Sequence, residues 1–233
     1  MRIESVMTPR LFAIAECVPQ GAKLCDVGTD HGYIPIYLCQ KKRITKALAM
    51  DLRPGPLSRA DENIARYGLS DCIGTRLSDG LLKLNGGEAD TAVIAGMGGL
   101  LIAEILKAQP YMLDCYILQP MTAVAELRQF LVENGYRICD EHLAREEEKI
   151  YTVLVVRPGG KEPYSQAEYL VGKRLMGNRD PLTPALITNL LTKYREARSG
   201  LQLSDKESAK EKAEQFSRII SDLEKMEQEA ALW

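Results

Sequence analysis

The architecture of this chain follows from residues 23–33, which read Lys23-Leu24-Cys25-Asp26-Val27-Gly28-Thr29-Asp30-His31-Gly32-Tyr33. The first part is a short apolar run, which predicts a buried strand over Lys23–Gly28. Glycines at positions 28 and 32 provide the turn, and a helix is predicted from Gly32 to Gln40. A strand that ends in a glycine turn and leads into a helix is the first unit of an open α/β sheet.

The same alternation of strand and helix continues to about residue 158. Further strands are predicted at Ile44–Asp51, Cys72–Leu77, Ala89–Ala95 and Tyr116–Leu118, and further helices at about 54–67, 99–107 and 122–134. Continuous apolar strands separated by helices predict a parallel sheet that is covered on both faces.

The last two β runs are arranged differently. Tyr136–Leu143 and Ile150–Arg157 are separated only by the charged stretch 144–149, which leaves no room for a crossover helix. We therefore predict an antiparallel hairpin. Five parallel strands closed by such a hairpin are typical of the Rossmann-like sheet of class I methyltransferases, whereas a dinucleotide-binding fold needs another crossover helix.

The segment Pro158-Gly159-Gly160 interrupts this pattern, and we predict two domains, residues 1–158 and 159–233. Ser165 and Glu168 have the spacing of a capping box. Narrow apolar stripes predict long helices at about 183–202 and 205–231, with a turn marked by Gly200 and Ser204. The expected structure is an α-helical coiled-coil hairpin, although the stripe could also serve oligomerisation.

Composition and charge restrict the class of protein. The chain has 30 Lys and Arg against 32 Asp and Glu, a net charge of −2, and 45% hydrophobic residues. These values predict a soluble globular protein and exclude a simple polybasic nucleic-acid binder. No apolar run suits a membrane span or a signal peptide, so we expect no membrane association. The six cysteines form no C-x-x-C pair, which predicts a reduced cytoplasmic protein without a metal site.

The acidic residues of the first turn suggest the ligand chemistry. Asp30 stands where a phosphate-binding loop normally has glycine, so it would repel a pyrophosphate. Its carboxylate would instead suit the cationic amino-acid part of S-adenosylmethionine, and Asp26 could act in the same way. The alternative is that Asp30 only caps the following helix.

Three further motifs follow strand ends. Asp51 lies 23 residues after Gly28, close to the spacing of the acid that holds ribose hydroxyls. Asp79, in Ser78-Asp79-Gly80, could accept a hydrogen bond from the adenine amine, or belong to a plain turn. The glycines of Gly96-Met97-Gly98-Gly99 leave space for a substrate, although one of them could simply allow close packing.

In combination these motifs resemble the bacterial tRNA (adenine-N1)-methyltransferases that act on position 22 of tRNA, the TrmK family. The matching residues are Thr8-Pro9-Arg10-Leu11, residues 26–33, Asp51, Ser78-Asp79-Gly80, Gly96-Met97-Gly98-Gly99 and Leu118-Gln119-Pro120. Family members generally have Ser where this chain has Thr8. The resemblance covers residues 1–158 by motif and the remainder by architecture.

The resemblance implies methyl transfer from S-adenosylmethionine to N1 of an adenosine in the D-arm region of tRNA. It implies a cofactor pocket formed by Arg10, Asp26, Gly28, Asp30, His31, Asp51, Asp79, Gly80, Gly96, Met97 and Gly98. Arg10 would pair with the methionine carboxylate. Candidates for the side of the adenine are Asp30, His31, Tyr33 and Gln119. The helical domain would be a tRNA-contacting arm of a monomeric enzyme.

Other functions remain open at this point. A methyltransferase of the same fold could act on a small molecule or a protein. A nonenzymatic RNA-binding or coiled-coil interaction protein could retain the fold, although intact cofactor motifs argue against it. A nicotinamide-dependent oxidoreductase is disfavoured by the acids in the first loop. Residues 161–233 carry twelve basic and twelve acidic side chains, so tRNA binding would depend on a few arranged cations and on shape.

Overall fold

The computed structural model describes residues 2–160, 162–202 and 206–233. The chain forms two compact units, Met1–Glu162 and Pro163–Trp233. This division lies four residues beyond the boundary expected at 158/159, because the glycine pair belongs to the end of the first unit. Each unit has its own hydrophobic cluster.

The described part of the first unit contains one sheet of seven strands in the order β3-β2-β1-β4-β5-β7-β6. The strands are β1 (Lys23–Val27), β2 (Lys46–Asp51), β3 (Ile73–Leu77), β4 (Thr91–Gly98), β5 (Cys115–Thr122), β6 (Tyr136–Glu146) and β7 (Lys149–Pro158). Strands β1 to β5 pair in parallel, and β7 pairs antiparallel with both β5 and β6. The predicted Rossmann-like sheet closed by an antiparallel hairpin is confirmed.

Five α-helices accompany this sheet within the described residues, after a 3₁₀ turn at Ile3–Val6. They are α1 (Pro9–Glu16), α2 (Tyr33–Gln40), α3 (Pro54–Arg66), α4 (Gly99–Ala108) and α5 (Val124–Glu133). Right-handed crossovers put α2 and α3 on one face and α4 on the other, because the strand order runs in opposite directions from β1 and β4. Helix α5 packs against α4. The alternation of strand and helix does not predict α1, which begins with a Thr8 cap and Pro9.

Strands β4 and β5 extend further than the sequence predicts. Pairing continues from Ala95–Gln119 to Met97–Pro120 and Gly98–Thr122, with register shifts on either side of Met97. Gly96, expected in a loop, therefore belongs to the irregular end of β4, where its φ is +76°. Thr122, expected to begin a helix, ends β5 instead.

Gly99 allows the closest approach of backbone at this edge. A Cβ added there would lie 2.3 Å from the Ala123 carbonyl oxygen and 2.9 Å from that of Thr122. No side chain fits in this space, so the start of α4 packs directly on the end of β5. One glycine of the Gly96–Gly99 motif thus serves packing.

The second unit is helical throughout its described residues. It contains α6 (Gln166–Val171), α7 (Lys173–Asn178), α8 (Thr183–Leu201) and α9 (Glu207–Ala230). The capping box of Ser165 and Glu168 is confirmed. Gly200 lies in the last turn of α8 rather than in the expected turn, while Ser204 and Asp205 lie outside the described residues.

Helices α8 and α9 run antiparallel, since the side chain of Thr188 donates to Glu227 and that of Arg195 donates to Glu224. Their contact is a narrow apolar stripe that includes Ile187, Leu191, Ile220 and Leu223. Among the described residues, no helix combines the length and the apolar composition that crossing a bilayer requires.

A fully buried ion pair joins α5 to the closing hairpin. The Nε atom of Arg128 donates to Oε1 of Glu141 over 2.7 Å, and neither side chain is exposed to solvent. Both charges have lost their hydration, and their pairing offsets part of that desolvation cost.

We expect Arg128→Met to reduce the free energy of unfolding by about 3–5 kcal/mol, because it removes the guanidinium charge from beside the buried Glu141 carboxylate. Replacing both residues, with Arg128→Met and Glu141→Leu together, should recover most of that loss. Urea unfolding followed by circular dichroism measures both. Lys107→Met, which removes an exposed pair with Glu104, is the control and should cost about 1 kcal/mol or less. Equal losses in the single and double variants would show that loss of the opposite charge is not the cause.

Candidate active site

A cavity of about 350 Å³ opens at the carboxyl ends of β1 and β4. Its volume is within the range of small-molecule sites. The walls are the first turn, the start of α1 and the end of β4: Arg10, Leu11, residues 26–34, Ala95 and Gly96. This is the point at which the strand order reverses, where open α/β sheets bind ligands.

A second cavity of about 450 Å³ adjoins the first. The two have Gly28, Asp30, Ala95 and Gly96 in common, and the second adds Asp51, Arg53, Pro56, Arg59 and Met97. An elongated ligand that follows the carboxyl edge could therefore extend from β1 and β4 to the end of β2.

Backbone hydrogen bonds hold the strand ends together along this edge. The N–H groups of Gly28 and Thr29 both donate to the Met50 carbonyl, at 2.8 and 2.9 Å. The Ser78 N–H donates to the Asp51 carbonyl over 2.8 Å. The turn after β1, the end of β2 and the Asp79 turn consequently form one continuous rim.

Asp26 is the buried carboxyl group of the first cavity. It lies in β1 between Ala49 of β2 and Val93 of β4, and only 6% of the residue is exposed. Burial raises its pKa to about 6, and the negative charge of Asp51 adds to the rise. A ligand cation next to Asp26 would favour its ionised form.

Asp30 and Asp51 are oriented by neighbours in and before α3. The Arg59 guanidinium donates to Asp30 Oδ1, and His31 Nε2 lies 3.5 Å from Asp30 Oδ2. The Arg53 N–H donates to Asp51 Oδ1 over 2.7 Å. Both carboxylates thus have defined directions at the cavity edge.

His31 and Tyr33 form a stacked pair at the cavity wall. Their ring centroids are 4.9 Å apart and their planes differ by 14°. The Asn63 side chain donates to the His31 carbonyl over 3.0 Å, which ties the turn to α3. One ring supports the other, so both have limited freedom.

Arg10 is held by three strands of the sheet. Its Nη1 donates to Gln119 Oε1 over 2.8 Å, and its backbone N–H donates to Glu146 Oε1 over 2.9 Å. Its guanidinium carbon lies 5.5 Å from the centre of the Tyr151 ring, within cation–π range. Arg10 is therefore a fixed positive group in a cavity whose acidic side chains are Asp26 and Asp30.

The structure brings most of the predicted site residues together. The first cavity includes Arg10, Asp26, Gly28, Asp30, His31, Tyr33 and Gly96, and the second adds Asp51 and Met97. Asp79, Gly80 and Gly98 lie at the same edge but line neither of these two cavities. Gln119 is fully buried beside Arg10.

Three other residues of the site are not predicted by any sequence motif. Glu146 and Tyr151 flank the tip of the hairpin, which reads only as a charged connection, and Asn63 reads as a polar residue of α3. They lie far from Arg10 and His31 in the sequence, so no local pattern links them to the site. Within the described ranges, no group of three or more His, Cys, Asp or Glu side chains could hold a metal ion.

Comparison with known proteins identifies the family. A family model for a methyltransferase domain matches residues 7–154. The tRNA (adenine(22)-N(1))-methyltransferase of Bacillus subtilis (strain 168) is 37% identical over 162 residues, which are 68% of each chain. The chain belongs to the tRNA (adenine(22)-N(1))-methyltransferase family.

Solved structures of this family have the same fold over nearly the whole chain. The B. subtilis m1A22 tRNA methyltransferase TrmK has 30% identity and a TM-score of 0.84, covering 95% of this chain and 98% of its own. M. capricolum TrmK, in complex with S-adenosyl-homocysteine, has 26% identity and a TM-score of 0.82, covering 96% and 99%. The similarity thus includes the helical unit.

The raised pKa of Asp26 predicts a pH-dependent stability. The ordinary value of 3.8 applies to the unfolded chain, and the folded value is about 6. As pH rises between these values, the unfolded chain loses its proton first, so the free energy of unfolding falls. Above about pH 6, Asp26 is ionised in both states. Burial of its charge then lowers the free energy of unfolding by about 3 kcal/mol.

We therefore expect Asp26→Asn to stabilise the ligand-free protein at pH 8 by up to about 3 kcal/mol, and to change little near pH 4. Urea unfolding at both pH values tests this. Asp71→Asn, at an exposed position after α3, is the matched control and should change stability by about 0.5 kcal/mol or less. A stabilisation of the same size at both pH values would show that ionisation of Asp26 is not the cause.

Proposed function

We propose that this protein transfers a methyl group from S-adenosylmethionine to N1 of the adenosine at position 22 of tRNA. The observation that carries the proposal is the meeting of Arg10, Asp26 and Asp51 around adjoining cavities in a chain of this family. Membership of the family supports methyl transfer as the reaction and tRNA as the partner.

The residues around the two cavities fit S-adenosylmethionine. Asp26 and Asp30 offer carboxylates to its amino group, and Arg10 offers guanidinium N–H groups to its carboxylate. A Cβ at Gly28 would lie 2.2 Å from Cε of Met97, so the cradle has no room for a side chain at position 28. The chemistry of the walls and the space between them therefore match the amino-acid end.

The remaining pocket residues would bind the adenosine end. Asp51, oriented by the Arg53 N–H, can accept hydrogen bonds from both ribose hydroxyls. Asp79, exposed in the turn whose Ser78 N–H bonds to the Asp51 carbonyl, can accept from the adenine amine. We assign Gly80, Gly96, Met97 and Gly98 to the walls of the same pocket.

Bound S-adenosylmethionine supplies a methyl group that its sulfonium sulfur activates. N1 of adenine has a free lone pair at neutral pH, so the chain needs no general base before the transfer. Its task is to expose N1 and hold it in line, and positioning of this kind can contribute about 7–11 kcal/mol. Because N1 is unreachable inside a duplex, the base must flip out or lie in an open region.

On the side of the adenine we assign the stacked pair of His31 and Tyr33, together with Asp30. The two rings form a rigid aromatic surface at the cavity wall, and unstacked bases bind well to such surfaces. The Asp30 carboxylate would stabilise the positive charge that methylation leaves on the base.

We further propose that the helical unit contacts the D-arm region of tRNA. Helix α9 has 24 residues and is therefore about 36 Å long, enough to follow an RNA helix. Lys193, Lys210 and Lys225 are exposed along α8 and α9. The unit acts as an arm of a monomeric enzyme that needs no metal ion. The enzyme belongs in the cytoplasm, where the free cysteines of the first unit stay reduced.

The first test is methyl transfer from labelled S-adenosylmethionine to two unmodified tRNA transcripts. One transcript has adenosine at position 22, and the other differs only by guanosine there. We expect label only on the first, at N1 of that adenosine. Nuclease digestion and chromatography of the nucleosides identify the product.

Equal labelling of both transcripts would exclude position 22 as the target. Binding of S-adenosylmethionine without labelling of either transcript would favour a small-molecule or protein acceptor. If the protein neither binds the cofactor nor labels RNA, the result would favour a nonenzymatic RNA-binding or coiled-coil interaction protein.

Removal of the helical unit tests whether that unit contacts tRNA. A chain that ends at Glu162 should bind S-adenosylmethionine with unchanged affinity, because the cavities belong to the first unit. We expect its Kd for tRNA to rise about tenfold or more, a loss of about 1.4 kcal/mol. Calorimetry measures the first affinity and filter binding the second. Unchanged tRNA affinity and turnover would show that the helical unit does not act as a tRNA-contacting arm.

A further inference from the structure

We infer that Gln119 is a positioning residue that fixes Arg10 towards the carboxylate of S-adenosylmethionine, and that it does not contact the target adenine. The inference rests on the proposed function and deepens it. It is based on the buried hydrogen bonds of Gln119 on β5, to which the proposed function gives no role.

Gln119 uses its hydrogen-bonding capacity inside the protein. Its Oε1 accepts from Nη1 of Arg10 at 2.8 Å and from the Gly96 N–H at 3.2 Å, which occupies both lone pairs. Its Nε2 donates to the Pro120 carbonyl over 2.9 Å and lies 3.6 Å from the sulfur of Met121. The residue is fully buried, so an entering base would not reach it.

The bonds of Oε1 join two walls of the first cavity. Arg10 belongs to α1, which precedes the sheet, and Gly96 to the irregular end of β4. One oxygen atom thus sets the positions of both groups. The distance between the cationic wall and the glycine wall therefore depends on Gln119.

Glu146 supplies the competing attraction. Its Oε2 lies 3.8 Å from Nε of Arg10, and both side chains are 22% exposed. Without the Gln119 acceptor, the strongest remaining partner of the guanidinium is this carboxylate on the hairpin. The cation would then turn away from the cavity and neutralise Glu146 instead of binding the ligand.

The test compares Gln119→Met, which keeps the side-chain volume but removes the acceptor, with Arg10→Met and with the double variant. Two ligands are titrated by calorimetry into each. S-adenosylmethionine has the carboxylate, whereas 5′-methylthioadenosine lacks the amino-acid part. Gln129→Met, on the exposed face of α5, is the matched control for loss of a glutamine amide.

We expect Gln119→Met to raise the Kd for S-adenosylmethionine about 10- to 100-fold, the range for loss of a hydrogen bond to a charged group. Its Kd for 5′-methylthioadenosine should stay within about twofold, and kcat at saturating S-adenosylmethionine should change little, since binding alone is lost. In the Arg10→Met background the same replacement should have almost no further effect. Gln129→Met should behave as the wild type.

Three results would overturn the inference while leaving methyl transfer intact. They are an equal loss of affinity for both ligands, an undiminished effect in the Arg10→Met background, or a raised KM for tRNA with unchanged cofactor affinity. If Gln119→Met fails to fold, Gln119→Asn retains a buried amide that is one methylene too short, and the same expectations apply. A wild-type protein that does not bind S-adenosylmethionine would overturn the proposed function itself.

Discussion

The parallel pairing of β1 with β4 is the constraint on which the site depends. It aligns Val27, the last residue of β1, with Ile94, so the turn after β1 begins beside the irregular end of β4. Right-handed connections then take α2 and α4 to opposite faces, and the space between their starting points stays open. A glycine with positive φ lies on each side of that space, Gly28 in the turn after β1 and Gly96 in the irregular end of β4, and neither has a side chain to fill it.

Three carboxylates around one opening repel each other, and the fold handles each of them differently. Asp26 is buried and its raised pKa keeps part of it protonated near pH 6. Asp30 is paired with Arg59, and Asp51 is bound by the Arg53 N–H. These carboxylates would repel a pyrophosphate, whereas a bound ammonium group would reduce the repulsion among them. The acids of the first turn therefore add a second distinction from a dinucleotide site, besides the antiparallel hairpin that closes the sheet.

Sequence patterns predict this fold well because strand and helix are local properties. The position of Asp51 was also predictable, since the length of one strand–helix–strand unit fixes its distance from Gly28. The surroundings of Arg10 were not, because Gln119 and Glu146 lie 109 and 136 residues away and meet it only after the sheet has closed. Burial of Gln119 was equally invisible, since a glutamine at a strand end reads as an exposed polar group. The extension of β4 through Gly96 depends on pairing with β5, which no local pattern contains.

Charge also limits how this chain can meet a polyanion. With a net charge of −2 it gains no general long-range attraction to RNA, and the helical region has as many acids as bases. Several cations there are already paired, as Arg195 is with Glu224. Binding must therefore come from short-range contacts whose geometry matches the RNA, and a chain that binds in this way discriminates by shape more than by charge. That mode suits an enzyme with one target nucleotide, because nonspecific adhesion to other RNA stays weak. If the stacked rings of His31 and Tyr33 receive the adenine as proposed, they add selectivity for a base that has left its stack.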